Sequence, residues 1–203
     1  MVLHRVMNEV FRSWTHVAVM RALIDTAHGL SGNAVARSAG MHPRSAFKAL
    51  TALEAQGLIR RQRGGRDHLF TLNRDHVLFE KVIVPVYSGE EGLRASLERA
   101  LGDILQPLVV SAFIFGSVAR GEESPDSDLD LCCITPTGMA KEQVRVALHD
   151  AASDLRRRFA VRVSPLFMTR TEFRARASSA TVKAILSEGI CIAGHDPRKH
   201  VHG

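Results

Sequence analysis

Two short apolar segments, each joined to a small polar motif, constrain the fold of this chain more than any other feature. The first, 109–115, is rich in β-branched and aromatic residues and lies between Pro107 and Gly116, which predicts a buried strand. The second, 127–134, reads Ser-Asp-Leu-Asp-Leu-Cys-Cys-Ile and predicts another buried strand. One strand therefore ends at a glycine turn, and the next begins with acids.

These polar motifs suit phosphate and metal chemistry. Residues two apart in a strand point to the same side, so Asp128 and Asp130 project together while the neighbouring leucines enter the core. Side-by-side carboxylates repel each other, and a divalent cation between them relieves that repulsion. Gly116 and Ser117, at a predicted strand-to-helix turn, offer backbone amides and a hydroxyl to phosphate oxygens. Arg120 either adds positive charge there or holds the loop.

Gly116-Ser117, Ala119-Arg120-Gly121 and Asp128-Leu129-Asp130 on successive strands together resemble the signature of the DNA polymerase β-like nucleotidyltransferase superfamily. The resemblance covers residues 107–194 and is greatest to its small bacterial branch, the minimal nucleotidyltransferases. It implies an α/β domain that transfers a nucleoside monophosphate from a nucleoside triphosphate, with ATP expected, to an acceptor. It implies Asp128 and Asp130 as catalytic residues that hold Mg²⁺ or Mn²⁺. It further implies a triphosphate seated by Gly116 and Ser117, with Arg120 beside them.

The sequence departs from that family at one position. Active members usually carry a third carboxylate on a later strand, which helps to hold a second metal and to activate the acceptor hydroxyl. The matching segment here, 160–168, contains no acid, and Arg162 or Ser164 stands at the expected place. An arginine there would repel a second cation, while Thr169 and Glu172 have the spacing of a helix capping box. Three interpretations stay open: another group substitutes, one metal suffices, or the domain binds nucleotide without chemistry.

The N-terminal third differs from the rest in charge and pattern. Residues 1–75 hold 11 Arg and Lys against 5 Asp and Glu, whereas residues 76–203 hold 16 of each. Apolar residues at helical spacing, beginning with Trp14, predict a core-facing helix over 13–25. Two short helices follow, one capped by Ser31 and one opened by Pro43. The second presents these apolar residues on one face: Ala46, Phe47, Leu50 and Leu53. Strand-like segments on either side of Gly64-Gly65 predict a hairpin.

A helix, a helix-turn-helix and a basic hairpin over 13–73 resemble the winged helix-turn-helix of bacterial regulators of the MarR and ArsR type. In such a domain the second helix of the motif enters the major groove and the wing contacts the DNA backbone. Double-stranded DNA is therefore the expected partner, and the expected DNA-binding residues are His42, Arg44, Ser45, Lys48, Arg61, Arg63 and Arg66. Winged helices also serve in protein docking and dimerisation, and that alternative stays open.

These segments predict an α+β chain with three parts. A winged helix-turn-helix domain occupies 1–75, a helical connector occupies 76–106, and an α/β nucleotidyltransferase-like domain with a mixed sheet occupies 107–203. The connector begins with apolar residues, is broken at Pro85, and resumes as a helix with leucines on one face, namely Leu93, Leu97, Leu101 and Leu105. That face must pack on the second domain or on a twin subunit.

Composition excludes several classes of protein. With 45% apolar and 24% charged residues, the chain is neither disordered nor fibrous. No apolar run approaches the ~20 residues of a transmembrane helix, and the first residues lack the order of a secretory signal, so we expect a cytoplasmic protein without a membrane partner. Cys132, Cys133 and Cys191 fit neither a disulfide framework nor a zinc site, and we interpret them as reduced core residues.

Two functions are consistent with the sequence. The first is a nucleotidyltransferase coupled to a DNA-binding winged helix, with the acceptor left open. The alternative is an antitoxin-like transcription regulator whose catalytically degenerate domain binds nucleotide or a toxin-like protein partner. A homodimer is compatible with both, with 3–24 and 76–106 as candidate surfaces.

Overall fold

The computed structural model of the chain describes residues 4–64 and 67–200. The chain divides into two compact units, Met1–Glu91 and Gly92–Gly203. Helices combine in the described residues with an antiparallel sheet and a mixed sheet, which confirms the predicted α+β class. The division between the units falls inside a long helix, Val84–Leu105. The domain boundaries at 75 and 106 stay predictions.

The first unit contains helices and a small antiparallel sheet, in the order α1 (Val6–Val10), α2 (Trp14–Ile24), β1 (Leu30–Ser31), α3 (Gly32–Ser38), α4 (Pro43–Ala55), β2 (Ile59–Gly64) and β3 (Asp67–Leu72). The strand order is β1-β3-β2. This is the predicted succession of a helix, a helix-turn-helix and a hairpin. The sequence did not predict β1, because two residues carry too little periodic pattern to mark a strand.

Local signals explain where α3 and α4 begin. The Ser31 hydroxyl accepts a hydrogen bond from the amide of Ala34, as predicted for the cap of α3. At the start of α4, His42 Nδ1 accepts from the amide of Arg44, and Pro43 occupies the first turn, where a missing amide costs nothing. The four buried residues Ala46, Ala49, Leu50 and Leu53 hold α4 in the core.

Two aromatic residues expected in the core of this unit lie at its surface instead. Trp14 is 64% exposed and Phe47 is 44% exposed. Trp14 is the first residue of α2, so it precedes the turns that carry the buried Val19, Met20 and Leu23. Phe47 packs edge-on to Phe70, with ring centroids 6.2 Å apart, and one face of it remains in solvent.

The connector is helical across Pro85, so the predicted break there is wrong. A π-helical turn, Phe79–Ile83, leads directly into α5 (Val84–Leu105), and Pro85 is the second residue of α5. Proline lacks the amide that an α-helical residue donates to the preceding turn, and the helix changes its hydrogen-bond pattern from π to α directly before Pro85. Within the first unit, the Tyr87 hydroxyl donates to the carbonyl of Val17 over 2.7 Å and fixes α5 to α2.

The second unit is built on a four-stranded mixed sheet with the order β6-β5-β4-β7. Its elements are β4 (Ser111–Phe115), α6 (Ser117–Arg120), β5 (Leu129–Thr135), α7 (Gly138–Phe159), β6 (Val163–Thr169), α8 (Arg170–Ala175), α9 (Ala180–Glu188) and β7 (Ile190–Gly194). Strand β5 pairs antiparallel with β4 and parallel with β6. The predicted mixed sheet is thus confirmed.

The core of this unit lies between the sheet and its helices. Leu97, Leu101 and Leu105 of α5 are buried there, whereas Leu93, predicted on the same face, is 54% exposed. Cys132 and Cys133 are buried in β5, and desolvation raises the pKa of each thiol to about 12. They are inert core residues, as predicted, because a thiol with so high a pKa forms little thiolate. Among the described residues, none of the helices has the length and apolar character needed to cross a membrane.

Candidate active site

The Gly-Ser turn and the second aspartate lie against each other at one end of the β4-β5 pair. Phe115, the last residue of β4, is the register partner of Asp130 in β5. Gly116 follows with φ of 73° and ψ of −150°, a conformation that side chains disfavour. A Cβ at Gly116 would overlap the Asp130 carboxylate. The glycine therefore permits the close approach of the turn to the acid.

Burial alternates along 128–131, as the predicted strand requires, with the leucines buried and the two acids less so. Leu129, between the two acids, is 2% exposed, and Leu131, after them, is 0% exposed. The side chain of Asp128 is 50% exposed. Asp130 is partly buried beside Gly116. Asp128 itself lies one residue before β5 begins. The pair thus combines one solvent-facing carboxylate with one that is held against the glycine turn.

Arg162 is the immediate partner of the first aspartate. Its Nε lies 2.9 Å from Oδ1 of Asp128, and its Nη2 donates to the carbonyl of Asp126 over 3.4 Å. The amide of Leu129 donates to the carbonyl of Arg162 over 2.8 Å, which continues the parallel pairing of β5 with β6. Ser164 is the register partner of Asp130. Arg162 and Ser164 therefore stand beside the two acids, as the sequence predicts, and the described residues of β6 include no carboxylate.

The carboxylates of Asp128 and Asp130 are of the donor type that a divalent cation takes. Mg²⁺ in proteins is often bound through one or two carboxylates, with water and substrate phosphates completing its octahedral shell. Asp128 and Asp130 meet that requirement. Among residues 4–64 and 67–200, no cluster of three or more His, Cys, Asp or Glu side chains could hold a metal alone. The guanidinium of Arg162 brings a fixed positive charge to the side where a second cation would bind, and it would repel that cation.

Arg120, expected beside the nucleotide, is engaged by two carboxylates. Its Nε lies 2.7 Å from Glu122 and its Nη1 lies 2.9 Å from Glu188 at the end of α9. The hydrogen bonds to Glu122 and Glu188 raise the pKa of the guanidinium above its ordinary value. These contacts show Arg120 holding the loop after α6, which was one of its two expected roles. Its contact with nucleotide stays a prediction.

Glu172 caps a helix, as the sequence predicts. The Thr169 hydroxyl accepts from the amide of Glu172, and the Glu172 carboxylate accepts from the amide of Thr169. Lys141 also lies 2.7 Å from that carboxylate. The hydrogen bond from Lys141 and the one from the Thr169 amide lower the pKa of Glu172 to about 2. Its Oε2 accepts both bonds and so links the start of α8 to α7.

The residues expected to bind DNA lie on the exposed face of α4 and on the hairpin. His42, Arg44, Ser45 and Lys48 are all exposed, although the ring of His42 is engaged as the cap of α4. In the hairpin, Arg63 is exposed opposite His68, and Arg66 lies outside the described residues. Arg61 pairs with Glu54 of α4 over 3.1 Å, so part of its charge is neutralised within the protein.

A groove between α7 and β6 was not identified from the sequence. It has a volume of about 360 Å³, and its basic lining residues are Arg145, His149, Arg156 and Arg162. The first three recur along one face of α7, at a spacing of four and then seven residues. That spacing was the sequence signal from which the groove could have been predicted. It is ambiguous in a sequence because an exposed helix face is often basic without a ligand.

Three comparisons with known proteins gave one match to a protein family. Residues 95–190 match the family model described as "Nucleotidyltransferase domain", which supports a nucleotidyl-transfer function. A search of curated proteins found no match. One solved structure, described as that of TrmBL2, an archaeal chromatin protein with a novel mode of DNA binding, matches at 13% identity and a TM-score of 0.30, over 94% of this chain and 76% of that chain. A likeness at that score carries no argument. The family match and the Gly116, Asp128 and Asp130 arrangement support the placement of residues 95–190 in the nucleotidyltransferase superfamily.

Proposed function

We propose that the second unit transfers a nucleoside monophosphate from a nucleoside triphosphate to a hydroxyl group of an acceptor, using one divalent cation. The observation that carries this proposal is the close approach of Gly116 to the carboxylate of Asp130, with the half-exposed Asp128 two residues before it in the chain. It joins a turn that suits phosphate oxygens to a carboxylate pair that suits Mg²⁺ or Mn²⁺. We propose ATP as the donor to test first.

The chain's own residues position the reactants. The backbone amides of the turn at Gly116 and the Ser117 hydroxyl bind the triphosphate, and Arg120 secures the loop that follows. Asp128 and Asp130 hold the cation, which when bound supplies charge stabilisation at the phosphates. The acceptor oxygen forms a bond to the α-phosphorus while the bond from that phosphorus to the bridging oxygen breaks. Pyrophosphate leaves, and the hydroxyl proton passes to solvent near the half-exposed Asp128.

Transfer of label from α-phosphate-labelled triphosphates tests this proposal. The protein is incubated with Mg²⁺ or Mn²⁺ and a cell extract, which is then separated into RNA, protein and small molecules. We expect label in one fraction, and its loss with Asp128→Asn or Asp130→Asn. Asp103→Asn, which removes an exposed acid of α5, is the matched control and should retain transfer. Failure of the wild-type protein to label any fraction would refute the proposal.

The exposed cations of the first unit favour a second function, binding to double-stranded DNA. Arg44 and Lys48 lie four residues apart on the solvent face of α4, and Arg63 extends from the hairpin. Among the described residues, none of these three side chains has an ion-pair partner. Cations that are free to meet phosphates supply the salt-dependent part of DNA affinity. We propose that this unit targets or regulates the second one through DNA.

A gel-shift experiment with fragments of genomic DNA tests this second function. We expect binding that weakens with salt and with Lys48→Ala or Arg63→Ala. Lys81→Ala removes an exposed lysine outside α4 and the hairpin, and it should bind as the wild type does. Binding that ignores the first two substitutions would refute a winged-helix mode of recognition. The domain boundaries, a homodimer and a toxin-like protein partner stay predictions.

A further inference from the structure

The groove between α7 and β6 concentrates positive charge without any acidic residue in its lining. Arg145, His149 and Arg156 reach it from α7, and Arg162 reaches it from the start of β6. Arginine is protonated at every physiological pH. Arg145 pairs with Glu142 over 3.2 Å, and Arg162 pairs with Asp128 over 2.9 Å. Among the described residues, Arg156 has no ion-pair partner. Arg156 therefore offers an uncompensated positive charge to an anion in the groove.

The groove also has an apolar floor. Leu148 and Ala152 of α7 face Val161, Val163 and Phe167 across it. The guanidinium of Arg145 lies over the ring of Phe167, with 4.9 Å to the ring centroid. A ligand for this site therefore combines an anionic group with an apolar part. A volume of about 360 Å³ suits a small molecule or one end of a larger one.

Arg162 links the groove to the carboxylate pair. The same side chain lines the groove and lies 2.9 Å from Asp128 Oδ1. A molecule seated in the groove is thus separated from the candidate metal ligand by one side chain. Because β6 is an edge strand in the order β6-β5-β4-β7, no further strand covers this side within the described part of the unit.

We propose that this groove is the acceptor site and that it takes a phosphate-bearing acceptor with an apolar portion beside the phosphate. The proposal rests on the proposed nucleotidyltransferase function. Arginine guanidinium groups donate two parallel hydrogen bonds to phosphate oxygens, which gives such a site both affinity and orientation. The apolar floor binds the rest of the acceptor and directs its hydroxyl toward Asp128.

Phenyl phosphate is the probe that tests both features, because it joins a phosphate to an apolar ring. Its dissociation constant is measured by calorimetry on the full chain, without metal or nucleoside triphosphate, beside inorganic phosphate and phenol. We expect phenyl phosphate to bind about tenfold tighter than either, because only it gains both contacts. Equal affinity for phenyl phosphate and inorganic phosphate would overturn the proposed apolar portion. An absence of phenyl phosphate binding would overturn the site itself.

Neighbouring arginines of α7 supply a matched control. Arg156 lines the groove, whereas Arg157 pairs with Asp154 and does not line it. Arg156→Glu should weaken phenyl phosphate binding about tenfold or more, while Arg157→Glu should leave it within about twofold. Arg156→Gln repeats the test if the glutamate variant does not fold. Equal effects of Arg156→Glu and Arg157→Glu would show general charge attraction and would overturn the site.

A second arm identifies the source of the phosphate. We compare phenyl phosphate with a short single-stranded RNA. If the RNA binds more tightly, and Arg156→Glu removes that difference in affinity, the ligand of the groove is the end of a nucleic acid. RNA binding no tighter than phenyl phosphate assigns it to a free phosphorylated molecule. Because these measurements contain no triphosphate, phenyl phosphate binding without label transfer would refute only the proposed function. Label transfer without groove binding would refute only this inference.

Discussion

The Nε of Arg162 lies 2.9 Å from Oδ1 of Asp128, so a fixed cation contacts the first acid of the candidate metal pair. Both side chains are at least half exposed, and an ion pair in such a setting contributes little to stability. The ion pair has a greater effect on the binding of a metal ion by Asp128. The guanidinium competes with a divalent cation for the same carboxylate.

Removal of that competitor should strengthen metal binding. We expect Arg162→Ala to lower the dissociation constant for Mn²⁺ by about two- to fivefold. This is the change in affinity that corresponds to the free energy of an exposed ion pair. Electron paramagnetic resonance of free Mn²⁺ measures this on the full chain. Arg157→Ala, which breaks an ion pair elsewhere, serves as the control. Weaker Mn²⁺ binding by Arg162→Ala would show that Arg162 supports the site instead of competing with the metal.

The contact between Gly116 and Asp130 predicts an unusually costly alanine substitution. Gly116→Ala combines a backbone of positive φ with overlap of the Asp130 carboxylate, and we expect a loss of about 2–3 kcal/mol in the free energy of unfolding. Gly121→Ala has a similar φ of 69° with nothing within 4 Å of the added Cβ, so it should lose about 1 kcal/mol. Urea unfolding measures both variants. Equal losses would mean that the approach of Asp130 is not tight.

Only part of this site could be predicted from the sequence. Alternating leucines and acids were enough to predict that Leu129 and Leu131 are buried while the acids are less so, because that alternation is local. The partner of Asp128 depends on the register between β5 and β6, which lie more than thirty residues apart in the chain and pair in parallel. No local pattern specifies that register. The sequence did place Arg162 or Ser164 near the pair, but not the contact to Asp128.

The predicted break in the connector was wrong for a different reason. Proline predicts a break where its missing amide is needed, but Pro85 lies in the first turn of α5, directly after a π-helical turn. The sequence does not reveal where the preceding helical segment ends. Likewise, Trp14 and Phe47 follow the apolar pattern but are exposed. The pattern predicts which face of a helix packs on the core, but it does not predict how much of that face the rest of the domain covers.

The low pKa of Glu172 predicts a loss of stability in acid. Its pKa is about 2 in the folded chain because Lys141 and the Thr169 amide bind the carboxylate. A depressed pKa stabilises the folded state above the ordinary value of 4.5, and this contribution is lost as the pH falls from 4.5 toward 2. Glu172→Gln should therefore show a shallower decline of unfolding free energy across that range. An unchanged slope would contradict the capping contacts.

The free cations of the first unit predict a specific salt dependence. If Lys48 contacts a DNA phosphate, Lys48→Ala should reduce the slope of log affinity against log salt by about 1. Arg61→Ala should have a smaller effect, because Arg61 already pairs with Glu54. Fluorescence anisotropy with a labelled duplex over a range of NaCl concentrations measures both slopes. Identical slopes for wild type and Lys48→Ala would show that Lys48 contacts no DNA phosphate, so that DNA binds elsewhere on the protein or does not bind.

The most direct test of the central claim compares two labels on one nucleoside triphosphate. In nucleotidyl transfer the α-phosphate label moves to the acceptor, while the γ-phosphate label leaves in pyrophosphate. We expect this distribution for the wild-type protein with Mg²⁺ and its loss with Asp130→Asn. Label from the γ-phosphate on the acceptor, or α-label transfer that survives Asp130→Asn, would contradict the account.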